Sequence, residues 1–170
     1  MVGRTCAPEL SAGVVVRVGR SNLVTMLRSS RVYWQSFRDQ FRARVGDVDT
    51  PSGRVFLRSR SPLTHVDEIV RPLLIGQGAN DPRVKEAESL QIVEAMEKRG
   101  IPVTYVRYPD EGHGFARPEN RLSFFAVTEI FLAQHLGGVY EEIGDDFDGS
   151  SIEVPTGAVE VPGVVEGLKR

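Results

Sequence analysis

Apolar and polar residues along this chain fall into blocks whose period switches between that of a strand and that of a helix. The run Gly13–Gly19, GVVVRVG, is β-branched and bounded by glycines, which predicts a short buried strand. Ser21-Asn22 offers a helix cap, and Leu23, Val24, Met26 and Leu27 begin an apolar face behind it. Tyr33, Trp34, Phe37 and Phe41 then recur at three- and four-residue spacing, one helical face rich in aromatic mass. Packing against a sheet explains such a face, and so does a hydrophobic wall beside a pocket. Gly46–Gly53, GDVDTPSG, has loop composition, and Arg54–Arg60 predicts a brief helix that Ser61-Pro62 breaks.

Leu73–Ile75 is continuously apolar, as a parallel strand covered on both faces should be. Gly76, Gly78 and Asn80 let the chain turn sharply, and Asp81-Pro82 predicts the start of the next helix, with proline in its first turn. Its buried stripe reads Val84, Ala87, Leu90 or Gln91, Ile92 and Met96, and Gly100 ends it. Val103, Tyr105, Val106 and Tyr108 predict another strand. Pro118 opens a last helix through Leu122, Phe125, Ala126, Ile130, Phe131 and Leu132 to Gly137-Gly138. Alternating strands and helices predict an α/β fold: about three parallel strands with flanking helices over residues 1–138. Residues 139–170, acidic and rich in Gly, Pro and Val, read as an irregular acidic tail, lying on the surface or disordered.

Composition changes this picture little. A chain of 170 residues with 41% hydrophobic and 26% charged positions suits one soluble globular domain. Its net charge of −2 is unevenly spread, from +6 over residues 1–71 to −2 over 72–138 and −6 over 139–170. Basic residues scattered among helix and turn signals do not make a phosphate track, so no nucleic-acid partner is expected. No apolar run nears the roughly 18 residues that would span a bilayer, and no membrane partner is expected. Cys6 is the sole cysteine and forms no internal disulfide. MVGRTCAPELSAGVVV lacks the ordered regions of a signal peptide, which implies a cytoplasmic protein only if Met1 is the true start.

The chemistry concentrates between Pro72 and Phe115. Asp81 follows one predicted strand and His113 the next, 32 positions on. In a parallel βαβ unit both loops leave the same carboxyl edge of the sheet, so carboxylate and imidazole can meet. Each alone has a structural role available, as a helix cap or as a partner for backbone carbonyls. Together they meet the needs of a general-base histidine, whose tautomer a carboxylate holds and whose loop must be free to reach. Gly112 and Gly114 supply that freedom. His65 suits local capping instead. His65, His113 and His135 lack metal-ligand spacing, and no phosphate loop occurs, so no cofactor or metal is expected.

The order acid, then histidine, each after a strand, matches the last two triad positions of an α/β-hydrolase. The residues SPLTHVDEIVRPLLIGQGANDPRVKEAESLQIVEAMEKRGIPVTYVRYPDEGHGFARPENRLSFF, with their GxxDxxV and DEGHGF patterns, resemble the carboxyl-terminal part of the prolyl oligopeptidase family of serine peptidases. Within that family they look similar to the dipeptidyl-peptidase and acylaminoacyl-peptidase members. The resemblance implies that Asp81 is the triad acid and His113 the triad base. It also implies that Tyr33 and Trp34 border the specificity pocket and that the partner is a peptide substrate. The family nucleophile, a serine in a G-x-S-x-G elbow, has no counterpart here. Gly19-Arg20-Ser21-Asn22-Leu23 lacks the second glycine and follows the wrong strand, and Cys6 has no elbow either. By the same resemblance VGRTCAPELSAGV looks like the helix after the elbow and its run into the next strand, which implies a chain that begins roughly half a dozen residues beyond the missing serine. Alone it is expected to be inactive, and its open strand Gly13–Gly19 invites self-association. An esterase- or lipase-like hydrolase fragment and a non-catalytic binding or assembly piece remain open as alternatives.

Overall fold

The computed structural model describes residues 12–29 and 35–170. One sheet holds β1 (Val14–Arg17), β2 (Leu73–Gly78), β3 (Val103–Tyr108) and β4 (Glu153–Thr156), in that order. The first three strands run parallel, and β4 pairs antiparallel with β3. Helices α1 (Leu23–Ser29), α2 (Gln35–Arg44) and α3 (Pro51–Ser59) and the 3-10 turn Pro62–Glu68 connect β1 to β2. Helix α4 (Glu86–Glu97) connects β2 to β3, and α5 (Pro118–Leu136) follows β3. The short helix α6 (Val164–Gly167) lies near the end of the chain.

Strand periodicity explains how the apolar runs are buried. Leu73, Ile75, Val103 and Tyr105 face one way and pack on Ile92, Val93 and Met96 of α4. Leu74, Val106 and Tyr108 face the other way, onto Phe124, Val127, Ile130 and Phe131 of α5. Every residue of β2 is buried, as its unbroken apolar run requires. A third cluster of Val24, Met26, Leu27, Val48 and Leu57 closes the helical excursion between β1 and β2. Helix α5 lies directly on the β2 backbone: a Cβ on Gly76 would sit 2.4 Å from the Phe124 ring.

Three local expectations shift. The helix after β2 starts at Glu86 rather than at Asp81-Pro82, because Asp81 folds the intervening residues into a turn of its own. That later start changes the phase of the buried stripe. Ile92, Val93 and Met96 point inward with Glu88 and Ser89, while Ala87 and Leu90 face solvent. On α5 the inward row is Asn120, Ser123, Phe124, Val127, Ile130 and Phe131, which leaves Leu122 and Phe125 outside.

The largest departure is in residues 139–170. Although acidic, they lie along the fold, supply β4, and bury Ile143, Val161 and Val164 in the α5-facing core. The open side of β3 draws them in, with Tyr105 opposite Thr156 and Arg107 opposite Glu153. The Arg107 guanidinium bonds Glu153 at 2.7 Å across that pair and Glu86 at 2.6 Å. Widely spaced valines and an isoleucine among acids make a weak sequence signal but adequate anchors. Among the described residues no helix is long and apolar enough to cross a membrane.

Candidate active site

The loops after β2 and β3 are tied together through their backbones. Ala79 N–H donates to Tyr108 O at 3.0 Å, Asn80 N–H to Glu111 O at 2.9 Å, and the Asn80 amide to Pro109 O at 2.7 Å. Such closeness is open only to glycine at the end of β2. A Cβ on Gly78 would lie 2.3 Å from Gly112 O and 2.5 Å from Glu111 O.

Within this seam Asp81 Oδ2 lies 2.8 Å from His113 Nδ1. The other oxygen, Oδ1, accepts from the N–H groups of Arg83 at 2.7 Å and Val84 at 2.9 Å. Carboxylate burial is complete, at 0% side-chain exposure, while the imidazole keeps 29%. With Nδ1 committed to a fixed carboxylate, Nε2 is the nitrogen available to exchange a proton with a reacting group.

Backbone strain and a second carboxylate shape the histidine loop. Gly114 has φ 114° and Phe115 has φ 53°, a left-handed conformation that a bulky residue adopts only under constraint. Phe115 is held there by burial, with its ring 4.6 Å from Tyr108 and 5.3 Å from Phe124, and Arg17 of β1 lies over it. Glu111, just before the loop, accepts from the N–H groups of Ala116 at 2.6 Å and Arg117 at 2.8 Å and from the Asn120 amide at 2.9 Å. Burial pushes the Glu111 carboxyl up, but the bonds from Asn120, Ala116 and Arg117 outweigh it and leave the group below its ordinary range. Neighbouring Asp110 is likewise held low, chiefly by the Ser151 hydroxyl and then by Arg117 and Asn120 against its partial burial.

The structure brings Asp81 and His113 together. Tyr33 and Trp34 lie outside the described residues. Ser21 is fully buried, its hydroxyl donating to Glu88 O at 2.5 Å and accepting from the Gln91 amide at 2.7 Å, which makes it a joint between α1 and α4. His65 contacts Glu68 at 2.9 Å and Ser59 O at 2.8 Å, a local capping role. Among the described residues no group of three or more His, Cys, Asp or Glu could hold a metal ion. Sequence reasoning passed over Glu111 and Asn120. Their only trace was a second acid beside Asp110 and an asparagine early in a helix, neither of which names its partners.

The prolyl oligopeptidase family matches residues 11–139. Dipeptidyl aminopeptidase BIII of Pseudoxanthomonas mexicana is 60% identical over 169 residues, 99% of this chain and 24% of that protein. Dipeptidyl peptidase family member 6 of Caenorhabditis elegans is 48% identical over 139 residues, 81% of this chain and 19% of that protein. The chain therefore spans about a quarter or less of the length of these curated relatives. A puromycin-hydrolyzing peptidase of Mycobacterium tuberculosis superposes with a TM-score of 0.66 at 25% identity, over 76% of this chain and 19% of its own. Sheet, paired acid and histidine loops, and sequence match agree: the chain belongs to the prolyl oligopeptidase family of serine peptidases.

Proposed function

We propose that this chain carries the acid and the base of a Ser-Asp-His triad for hydrolysing peptide bonds, and that the serine comes from polypeptide outside its 170 residues. The observation that carries this reading is the 2.8 Å contact between a fully buried Asp81 carboxylate and a solvent-accessible His113. His113 Nε2 takes the serine proton as the hydroxyl attacks the peptide carbonyl. It then returns that proton to the leaving amine. Asp81 stays ionised, keeps the imidazole in one tautomer and orientation, and stabilises the imidazolium. Absence of a G-x-S-x-G elbow supports the second half of the proposal, since the elbow supplies both nucleophile and one oxyanion donor. Without them the chain alone turns over negligibly.

Names of the relatives make dipeptidyl p-nitroanilides the substrates to try. The test assays the 170-residue chain beside a version extended through its upstream reading frame. The extended protein is expected to cleave the substrate, to react with a serine-directed phosphonate, and to lose activity on His113→Ala. The short chain is expected neither to cleave the substrate nor to react with the phosphonate. Turnover by the short chain at the rate of the extended one would overturn the proposal, as would an extended protein indifferent to His113→Ala.

A further inference from the structure

We propose that Gly149-Ser150-Ser151, in the segment read from sequence as a tail, is a positioning element for His113 that works through Asn120 and Glu111. The inference rests on the reading of His113 as the base. Asn120, fully buried near the start of α5, is the pivot. Its side-chain oxygen accepts from Ser151 N–H at 2.9 Å and from the hydroxyls of Ser150 at 3.0 Å and Ser151 at 3.3 Å. Its side-chain nitrogen donates to Glu111 at 2.9 Å and to Asp110 at 3.1 Å. One end of the amide thus reads the tail and the other reads the two acids before His113.

Polarity makes this arrangement directional. Two committed donors on the tail, the Ser151 N–H and the Ser150 hydroxyl, fix the amide oxygen toward residues 150–151 and therefore hold the NH2 toward the carboxylates. A reversed amide would set its oxygen against two anions. The tail also grips the acids from outside: the Ser151 hydroxyl bonds Asp110, and the Arg117 guanidinium bridges Asp110 to Gly149 O, the latter at 2.7 Å. Glu111 in turn closes the histidine loop by binding Ala116 and Arg117 N–H across its base. Between these clamped ends lie His113 and the positive-φ pair Gly114-Phe115. A strained loop keeps one conformation only while its surroundings over-determine it. The tail supplies part of that determination and so belongs to the active-site framework.

The test is made in the 170-residue chain by proton NMR of the His113 Nδ1–H, assigned by its loss in Asp81→Asn. Its exchange with water and the pH titration of the ring are the readouts. Asn120→Asp is nearly isosteric, still accepts from the tail, and loses its donors to the acids. It is expected to speed exchange about tenfold, the factor set by about one hydrogen bond to a charged group. The double variant Ser150→Ala/Ser151→Ala is expected to speed it roughly threefold, since Ser151 N–H still holds the amide. Ser150→Thr/Ser151→Thr, which keeps both hydroxyls, should restore the wild-type value. The double alanine variant removes only partly exposed hydroxyls and decides the matter should Asn120→Asp not fold. Unchanged exchange and titration in a folded double variant would overturn the proposal. These readouts need no turnover, so they fail separately from the peptidase assay above.

Discussion

Adding one methyl group to Gly78 should open the active-site seam. The alanine Cβ would lie 2.3 Å from Gly112 O, 2.5 Å from Glu111 O and 2.7 Å from Glu111 C, all of them backbone atoms that no rotamer change can move. Relief to an ordinary contact needs about 1 Å of separation between the two loops. That takes the Asn80 N–H to Glu111 O bond, 2.9 Å in the structure, past the limit of a hydrogen bond. Overpacking costs about 1–3 kcal/mol and the lost buried bond about 1 more, so Gly78→Ala should destabilise by about 3 kcal/mol. With a urea slope of about 2 kcal/mol/M the midpoint falls by about 1.5 M. Across the same contact, Gly112→Ala is the control. Its Cβ would meet nothing nearer than Asn80 O and Pro82 Cδ at 4.0 Å, and it should cost under about 1 kcal/mol. Equal midpoints for the two variants would refute the reasoning, as would a Gly78→Ala chain that keeps the wild-type His113 Nδ1–H signal.

Asp81→Asn should separate stability from chemistry. Its remaining oxygen can still accept from Arg83 and Val84 N–H, so the urea midpoint should move little, while activity of the extended enzyme falls about 10⁴-fold through the wrong imidazole tautomer. Activity within about tenfold of wild type would contradict the role given to Asp81. Glu111 predicts a pH dependence. Its folded pKa lies below the unfolded value of about 4.3, so its contribution is fully present above that pH and is lost as pH falls through the folded value. Glu111→Gln should therefore be less stable at neutral pH by about 2–3 kcal/mol yet show a shallower loss between neutral and acid pH; parallel curves would exclude the assignment. Self-association can be aimed at directly. Val14 N–H donates to Pro72 O at 3.1 Å and Val18 N–H to Gly76 O at 2.9 Å, so alternation turns the N–H of Val15 outward, and β2 is the sole strand paired with β1 among the described residues. The chain should associate as its concentration rises, by light scattering, and Val15→Pro should reduce that association without breaking the β2 ladder. Equal association of the two proteins would place the contact elsewhere.

Much of the framework was legible because the physics is local. A strand buried on both faces must be apolar throughout, so β2 and β3 declared themselves, and the turn residues after them located Asp81 and His113. The α5 helix was equally plain between Pro118 and Gly137, whose φ of 77° ends it. What stayed hidden depends on partners distant in sequence. β4 exists because β3 has an open side, and Glu153 is in place because Arg107 crosses from the neighbouring strand. Glu88 turns inward where Ser21 and Asn22, from the connection after β1, donate to it. Asn120 matters through Ser150 and Ser151, about thirty positions on. Acidic composition argued against an ordered end to the chain; three buried side chains, Ile143, Val161 and Val164, outweighed it.

The geometry of Asp81 joins two sets of contacts that the sequence offered as alternatives. A carboxylate after a strand can cap backbone N–H groups or orient a histidine, and here it does both with different atoms. Oδ1 takes Arg83 and Val84 N–H, and Oδ2 takes His113 Nδ1. The two roles support each other. Two short bonds on Oδ1 fix the plane of the carboxylate, so Oδ2 is aimed before the histidine arrives, and the orienting bond costs little further ordering. They also compensate a fully buried charge that a single imidazole could not satisfy. Asparagine would keep the turn and lose the charge, and glutamate would carry its charge one methylene too far to make the same turn. Aspartate is the side chain that satisfies both demands from one backbone position, and the delayed start of α4 at Glu86 is what leaves room for the turn.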